Sequence, residues 1–301
     1  MRKKCKAFLM IKKLNENHQF TIESVSAENQ EPMIAFLKDH SNYSLLLLGN
    51  FENYGAHLGE APYSGNYKVI RLGNTIITVF CLTKRGNLLI HSTVKEPIFS
   101  IVLSACLEEK IPIAGLLGEW KFCHSFWKFL KEKEIIQRDT FTSKEILYQA
   151  NMANISSVQQ PKVRLLEIND YSQWKPLRIA YLKESGLPYD LSDEQLLMLF
   201  VNKCNKKIIW GFFLEGKLVS IADLNAKASD LGQLGGVYTI PNFRQKGYSK
   251  AVIYKLLADL KTIHNIRKLI IFTGEYNLPA QKLYESIGVK SVGHFALLFG
   301  K

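Results

Sequence analysis

Residues 242–250, NFRQKGYSK, set two cations, Arg244 and Lys246, beside a lone glycine, Gly247. They fall where a strand-like run, LGGVYTI, gives way to a helix-like one, AVIYKLLADL. A glycine at such a junction turns the backbone sharply or admits a ligand closely, and the helix N-terminus beyond it carries partial positive charge. The chemistry is anion binding, with phosphate the best fit. For proton transfer the sequence offers two carboxylates, Glu275 just past the apolar run LIIFT and Asp223 on a strand pair. The seven histidines form no HxH or HxxxH pair, so a metal centre is not expected. Cys5, Cys81, Cys106, Cys123 and Cys204 have no CxxC spacing and read as small buried hydrophobes.

The elements that would hold these residues follow in a clear rhythm. Residues 149–164, QANMANISSVQQPKVR, are polar and read as a linker closing on Pro161. A strand, VRLLEI, precedes Asp170, which is placed to cap a helix running from Tyr171 through Pro176. Ser192 opens a second helix with acidic residues in its first turn. Two strands about a turn at 215–217, and a third through LGQLGGVYTI, lead to the glycine junction and its helix, which ends near His264. That histidine sits well as a C-terminal charge. A buried-looking strand, KLIIFT, the helix LPAQKLYESIG and a terminal strand pair through KSVGHFALLFG complete a mixed α/β layer.

The 301 residues suit two domains. No apolar run approaches the roughly 18 to 20 residues of a membrane span, and the opening MRKKCKAFLMIKK has too short an apolar core for a signal peptide. A cytoplasmic protein without membrane partners is expected. The net charge of +12 is divided unevenly, +4 over residues 1–150 and +8 over 151–301. The cations are dispersed rather than gathered in a tract, which reads as a solvated basic surface and argues against nucleic acid as the partner.

The order of elements, with GGVYTIPNFRQKGYSKAVIYKLL followed some thirty residues later by TGEYNLPAQKLYESIG, resembles the GNAT superfamily of acyl-CoA-dependent N-acetyltransferases over residues 162–301. The family signature [QR]-x-x-G-x-[GA] stands here as Arg244, Gln245, Lys246, Gly247, Tyr248 and Ser249, with serine in place of the last small residue. The resemblance implies acetyl-CoA as co-substrate, its pyrophosphate cradled by that loop, and a small-molecule or peptide amine as acceptor. It places a backbone N–H that polarises the thioester carbonyl among Gly236, Val237, Tyr238 and Thr239. Tyr284 matches the family tyrosine that protonates the leaving thiolate, with a packing aromatic as the bland alternative. Asn277 matches an asparagine of the cofactor cleft and equally suits a helix cap. Glu275 is the carboxylate nearest the expected cleft and the first choice of base, with Asp223 second.

The first half repeats the pattern. NLLIHS aligns with QLGGVYT, FSIVLSACLEE with the helix after it, IAGLLGE with LIIFTGE, and CHSFWKFLKEK with AQKLYESIG. Its counterpart of the glycine loop, TVKEPIF, contains Pro97 and Glu96 and no glycine, all unfavourable to a phosphate. The expectation is an α/β (mixed α+β) chain of two GNAT-like domains, each a mostly antiparallel mixed sheet flanked by helices. Residues 1–150 would be a degenerate copy, 151–161 a linker and 162–301 the catalytic domain. Two other functions fit the residues: a catalytically weak acyl-CoA-binding module whose N-terminal half recognises a partner, and a tRNA-dependent aminoacyl transferase. The intact pyrophosphate loop argues against the latter.

Overall fold

The computed structural model describes residues 20–94, 98–154, 160–186 and 191–301. It divides into two compact units, residues 1–145 with 294–301, and residues 146–293. Glu96 and Pro97, and residues 155–159 of the expected linker, lie outside the described residues. No described helix is long and apolar enough to cross a membrane.

The first unit begins with β1 (Phe20–Ser24), α1 (Gln30–Asp39) and α2 (Ser41–Tyr54). The strands β2 (Gly65–Leu72), β3 (Thr75–Thr83) and β4 (Asn87–Ser92) continue an antiparallel meander. α3 (Ile98–Glu108) crosses over to β5 (Gly115–Glu119), which pairs parallel to β4 through Asn87↔Gly115 to Ile90↔Gly118. α4 (Trp120–Glu132) follows, capped by the Glu119 carboxylate on the Phe122 N–H at 2.8 Å. Its Phe122, Cys123, Phe126, Trp127 and Leu130 are buried at helical spacing, so the aromatic-rich run WKFCHSFWKFL faces inward.

A long strand, β6 (Asp139–Asn151), carries the chain into the second unit. There β7 (Val163–Leu165), β8 (Ile209–Leu214), β9 (Lys217–Ala228) and β10 (Leu231–Thr239) form the antiparallel run. α5 (Tyr171–Ser185) and α6 (Asp193–Asn205) are inserted between β7 and β8. α7 (Tyr248–Thr262) crosses over to β11 (Lys268–Gly274), parallel to β10 through Leu231↔Lys268 to Leu234↔Ile271. α8 (Leu278–Glu285) and β12 (Lys290–Gly300) end the chain. The two units therefore share one plan: four antiparallel strands, a crossover helix, and a parallel pair four residues long.

Three expectations change. The terminal strand pair is one strand, β12, and its residues from His294 onward belong to the first unit, where Phe295–Phe299 pair antiparallel with Glu119–Gly115. Residues 146–151 of β6 in turn belong to the second unit, where the strand order places β6 next to β11. Asp170 does not cap α5 with its side chain; it accepts from the Glu167 N–H at 2.8 Å and from both Arg164 Nη atoms at 2.7 and 2.8 Å. That bidentate pair holds the Asp170 carboxyl below the usual range and fixes a 3-10 turn ahead of the helix. The Ser192 cap forms as read, in a reciprocal box with Gln195.

Helices cover the second unit's sheet on both faces. α5 and α6 pack Trp174, Leu177, Leu196 and Phe200 against Ile209, Leu218, Ile221 and Tyr238. On the other face α7 sets Val252, Ile253, Leu256, Leu257 and Leu260 against Trp210, Val219, Ala222 and Leu224. One polar contact crosses this second core: Trp210 Nε1 donates to Asp259 Oδ2 at 2.8 Å, and Lys255 holds Oδ1 at 2.7 Å. Trp210→Phe keeps an aromatic ring but removes the donor to a buried carboxylate oxygen and leaves space where the indole was, and a loss of at least about 1–3 kcal/mol is expected. The fall in urea midpoint of the near-ultraviolet dichroism transition measures it.

Candidate functional site

The site is built where β10 and β11 part. Their parallel pairing ends at Leu234↔Ile271, yet β10 runs on to Thr239 and β11 to Gly274. A bulge between Gly235 and Tyr238 sets three steps of β10 against two of β9 and turns the strand. At its centre Gly236 has φ +58°, and a Cβ there would meet the Asp223 carboxylate at 2.8 Å. The geometry admits only glycine. Beyond Leu234 the residues of β10 have no paired residue on β11.

The splayed strand leads through a one-turn 3-10 segment, Pro241–Phe243, into the loop of Arg244 to Gly247. Gln245 (φ +62°) and Gly247 (φ +80°) are both left-handed, and Gly247 is the N-cap of α7. A Cβ at Gly247 would meet nothing within 4 Å. The helix ladder starts with the Ala251 N–H on the Gly247 carbonyl at 3.0 Å, so the amides before it point outward with the positive end of the helix dipole. Successive outward amides, open space over a glycine and alternating left-handed residues make a concavity that fits a pyrophosphate.

The side chains expected there take distinct places. Arg244 braces the loop: Nε donates to the Thr239 carbonyl at 3.0 Å and Nη2 to Glu184 at 2.6 Å, with the guanidinium over the Tyr238 ring. Lys246 lies over Phe243, and Tyr248 stacks on Phe212 at 4.5 Å. Ser249 is half-buried in the first turn of α7. Val237 and Tyr238 alternate, Val237 on the α7 face and Tyr238 on the α5 face. Thr239 is buried, its hydroxyl 2.8 Å from that of Ser220. Asn277 is the N-cap of α8, accepting from the Ala280 N–H at 3.2 Å. Glu275 stands half-buried just past β11, its carbonyl accepting from Gln281 Nε2 at 2.8 Å.

Tyr284 is buried in the α7-side core, its ring edge-on to Tyr148 at 5.9 Å. The Tyr148 hydroxyl donates to Glu285 Oε1 at 3.2 Å, and burial, then that carboxylate, push its phenol up. Tyr148 was not singled out from the sequence, since it lies on β6, far along the chain. Lys203 was missed too. It shares the inward face of α6 with Leu196 and Phe200, and its Nζ reaches Asp223 Oδ2 at 2.6 Å with both side chains buried. A lysine at helical spacing in an apolar stripe was the available signal. His264 sets Nε2 2.9 Å from the Lys207 carbonyl and packs edge-on to Trp210. Cys81, Cys106 and Cys123 are buried, and burial raises their thiols, Cys106 up to about 12.

Comparison with known proteins agrees with this geometry. The acetyltransferase (GNAT) family profile matches residues 173–289. Human N-acetylaspartate synthetase is 33% identical over 138 residues, which are 44% of this chain and 43% of that protein, so the chain spans less than half the length of this curated relative. A Drosophila protein of known crystal structure covers 92% of this chain and 98% of its own at 13% identity and a TM-score of 0.63. A tandem GNAT protein from the clavulanic acid biosynthesis pathway covers 93% and 97% at 10% identity and a TM-score of 0.50. At such identity these two establish the fold alone. The family profile lies over the bulge, the Gly247 loop and α8, so residues 173–289 are similar to the acetyltransferase (GNAT) family.

Proposed function

We propose that the second unit transfers an acetyl group from acetyl-CoA to a primary amine by direct attack on the thioester. The observation that carries this reading is the parallel pair that opens at a glycine bulge immediately before a helix capped by a left-handed glycine. The Gly247 loop binds the pyrophosphate through backbone amides and the dipole of α7, and Arg244 keeps that loop in shape through Thr239 and Glu184. The free β10 edge, residues 236–239, supplies the N–H that stabilises the oxyanion. The neutral amine attacks the thioester carbon, the C–N bond forms and the C–S bond breaks. Tyr284 gives its proton to the leaving thiolate and regains one from solvent.

The acceptor is an amine that also carries negative charge. Two facts support this: a relative at 33% identity is named for making N-acetylaspartate, and residues 151–301 hold a net +8, which attracts anionic acceptors. L-Aspartate is the first acceptor to test, within a panel of amino acids, free amines and peptides read by thiol release. Wild-type protein that binds acetyl-CoA but releases no thiol with any acceptor would leave it a binding module only.

Three measurements probe the assignment. Gly247→Glu places bulk and negative charge where the pyrophosphate sits, and calorimetry is expected to show acetyl-CoA affinity falling by about 100-fold or more. Gly247→Ala is the control, carrying the left-handed strain of about 1–2 kcal/mol without the charge. Tyr284→Phe is expected to lower kcat by roughly 10- to 100-fold while changing the acetyl-CoA Kd less than about threefold, the pattern of a transition-state contact. A fall in affinity alone would make Tyr284 a packing residue. Titration of the full chain is expected to saturate at one acetyl-CoA; two equivalents would assign a second site to the first unit.

A further inference from the structure

Asp223 is a buried carboxylate that is only half satisfied. It is 3% exposed on β9, and Lys203 occupies Oδ2 at 2.6 Å, while Oδ1 is buried without any hydrogen-bond partner. The groups set against it are Lys203 from α6, Ile209 on β8 and Gly235 and Gly236 on β10; of these only Lys203 is charged. A charged oxygen buried without a donor is costly, and a sheet interior seldom keeps one unless something else completes it. Its position is telling. A Cβ at Gly236 would lie 2.8 Å from Cγ, Oδ1 and Oδ2 alike, so the carboxylate lies directly over the central glycine of the bulge that opens the site.

We propose that Asp223 is the base of the transfer and that Lys203 is its positioning residue, an assignment that rests on the acetyltransferase reading above. The acceptor nitrogen supplies the donor that Oδ1 lacks. As the nitrogen bonds to the thioester carbon and the C–S bond breaks, its N–H proton passes to Oδ1, leaving a neutral carboxyl that later loses the proton to solvent. The thiolate takes its own proton from Tyr284, so charge and atoms balance. Lys203 fixes the carboxylate through Oδ2 and so holds Oδ1 against the bulge. Glu275 stands half-buried in the turn after β11.

The test compares Asp223→Asn, Glu275→Gln and wild type, with L-aspartate and whichever acceptor of the panel wild type turns over best. Asp223→Asn keeps the shape and is expected to bind acetyl-CoA within about threefold of wild type, while kcat falls by about 100-fold or more. Glu275→Gln is expected to keep kcat within about threefold of wild type, and a kcat fall in Asp223→Asn without loss of acetyl-CoA affinity is a split that a merely structural pair would not give. Should Asp223→Asn fail to fold because Lys203 is left unpaired, Asp223→Asn with Lys203→Met removes both partners and takes its place. Turnover by Asp223→Asn or by the double variant within about threefold of wild type overturns the proposal, as does a kcat fall of about 100-fold in Glu275→Gln. Wild type that turns over no acceptor fails the acetyltransferase reading itself, and this role with it; wild-type turnover retained without Asp223 fails this role alone.

Discussion

The second unit depends on a single exclusion: nothing larger than hydrogen fits at position 236. The left-handed backbone there disfavours any side chain by about 1–2 kcal/mol, and the Asp223 carboxylate occupies the space a Cβ would need. With a glycine in place, β10 can bulge against β9 while Asp223 keeps its ion pair with Lys203. The bulge ends the pairing with β11 after Leu234. It leaves a free strand edge, and the strand leaves the sheet toward Gly247 and the start of α7. Cleft, amide edge and helix terminus are thus consequences of one local backbone state.

The first unit shows the same parallel pairing without that state. Its four pairs, Asn87↔Gly115 to Ile90↔Gly118, correspond in register to Leu231↔Lys268 to Leu234↔Ile271, so His91 and Ser92 stand where the second unit has Gly235 and Gly236. Side chains close what glycines leave open. His91 is buried among Phe36, His40 and Tyr43, and burial, then His40, lower its imidazole to about 4, so it is neutral there. The Ser92 hydroxyl is tied to Thr78 and to the Val94 carbonyl. One topology supports a ligand cleft or a filled core according to two residues, which is why function has to be read from the site.

What the sequence displayed was local. The strand-to-helix switch at Gly247 and the Ser192 cap are written in residues a few positions apart, and each formed as read. The internal repeat was visible as well, but its register was not: aligning IAGLLGE with LIIFTGE pairs Glu119 with Glu275, whereas the strand pairing places Glu119 level with Phe272. Long-range partners were hidden. Asp170 looked like a helix cap because the competing Arg164 fork is a tertiary contact, and Asp223 stood second to Glu275 because its Lys203 partner reaches it across twenty residues and a change of element. Asn277 satisfied two readings at once, and its geometry displays the cap.

The linker expected near residue 155 marks a change in composition, but not a clean division of the fold. Phe295, Ala296 and Leu298, from the last strand, belong to the first unit, and the latter two complete its core. Tyr148 and Ala150, encoded before residue 151, and Met152, within the expected linker, complete the core of the second. Each unit is therefore finished by a segment that lies on the far side of the linker in sequence. The consequence reaches the site, since the ring that packs edge-on to Tyr284 is Tyr148. A chain cut at the linker would separate the candidate acid from the residue that walls it, although every member of the Gly247 loop would remain. A residue from the first half of the sequence thus packs in the second unit, against Tyr284.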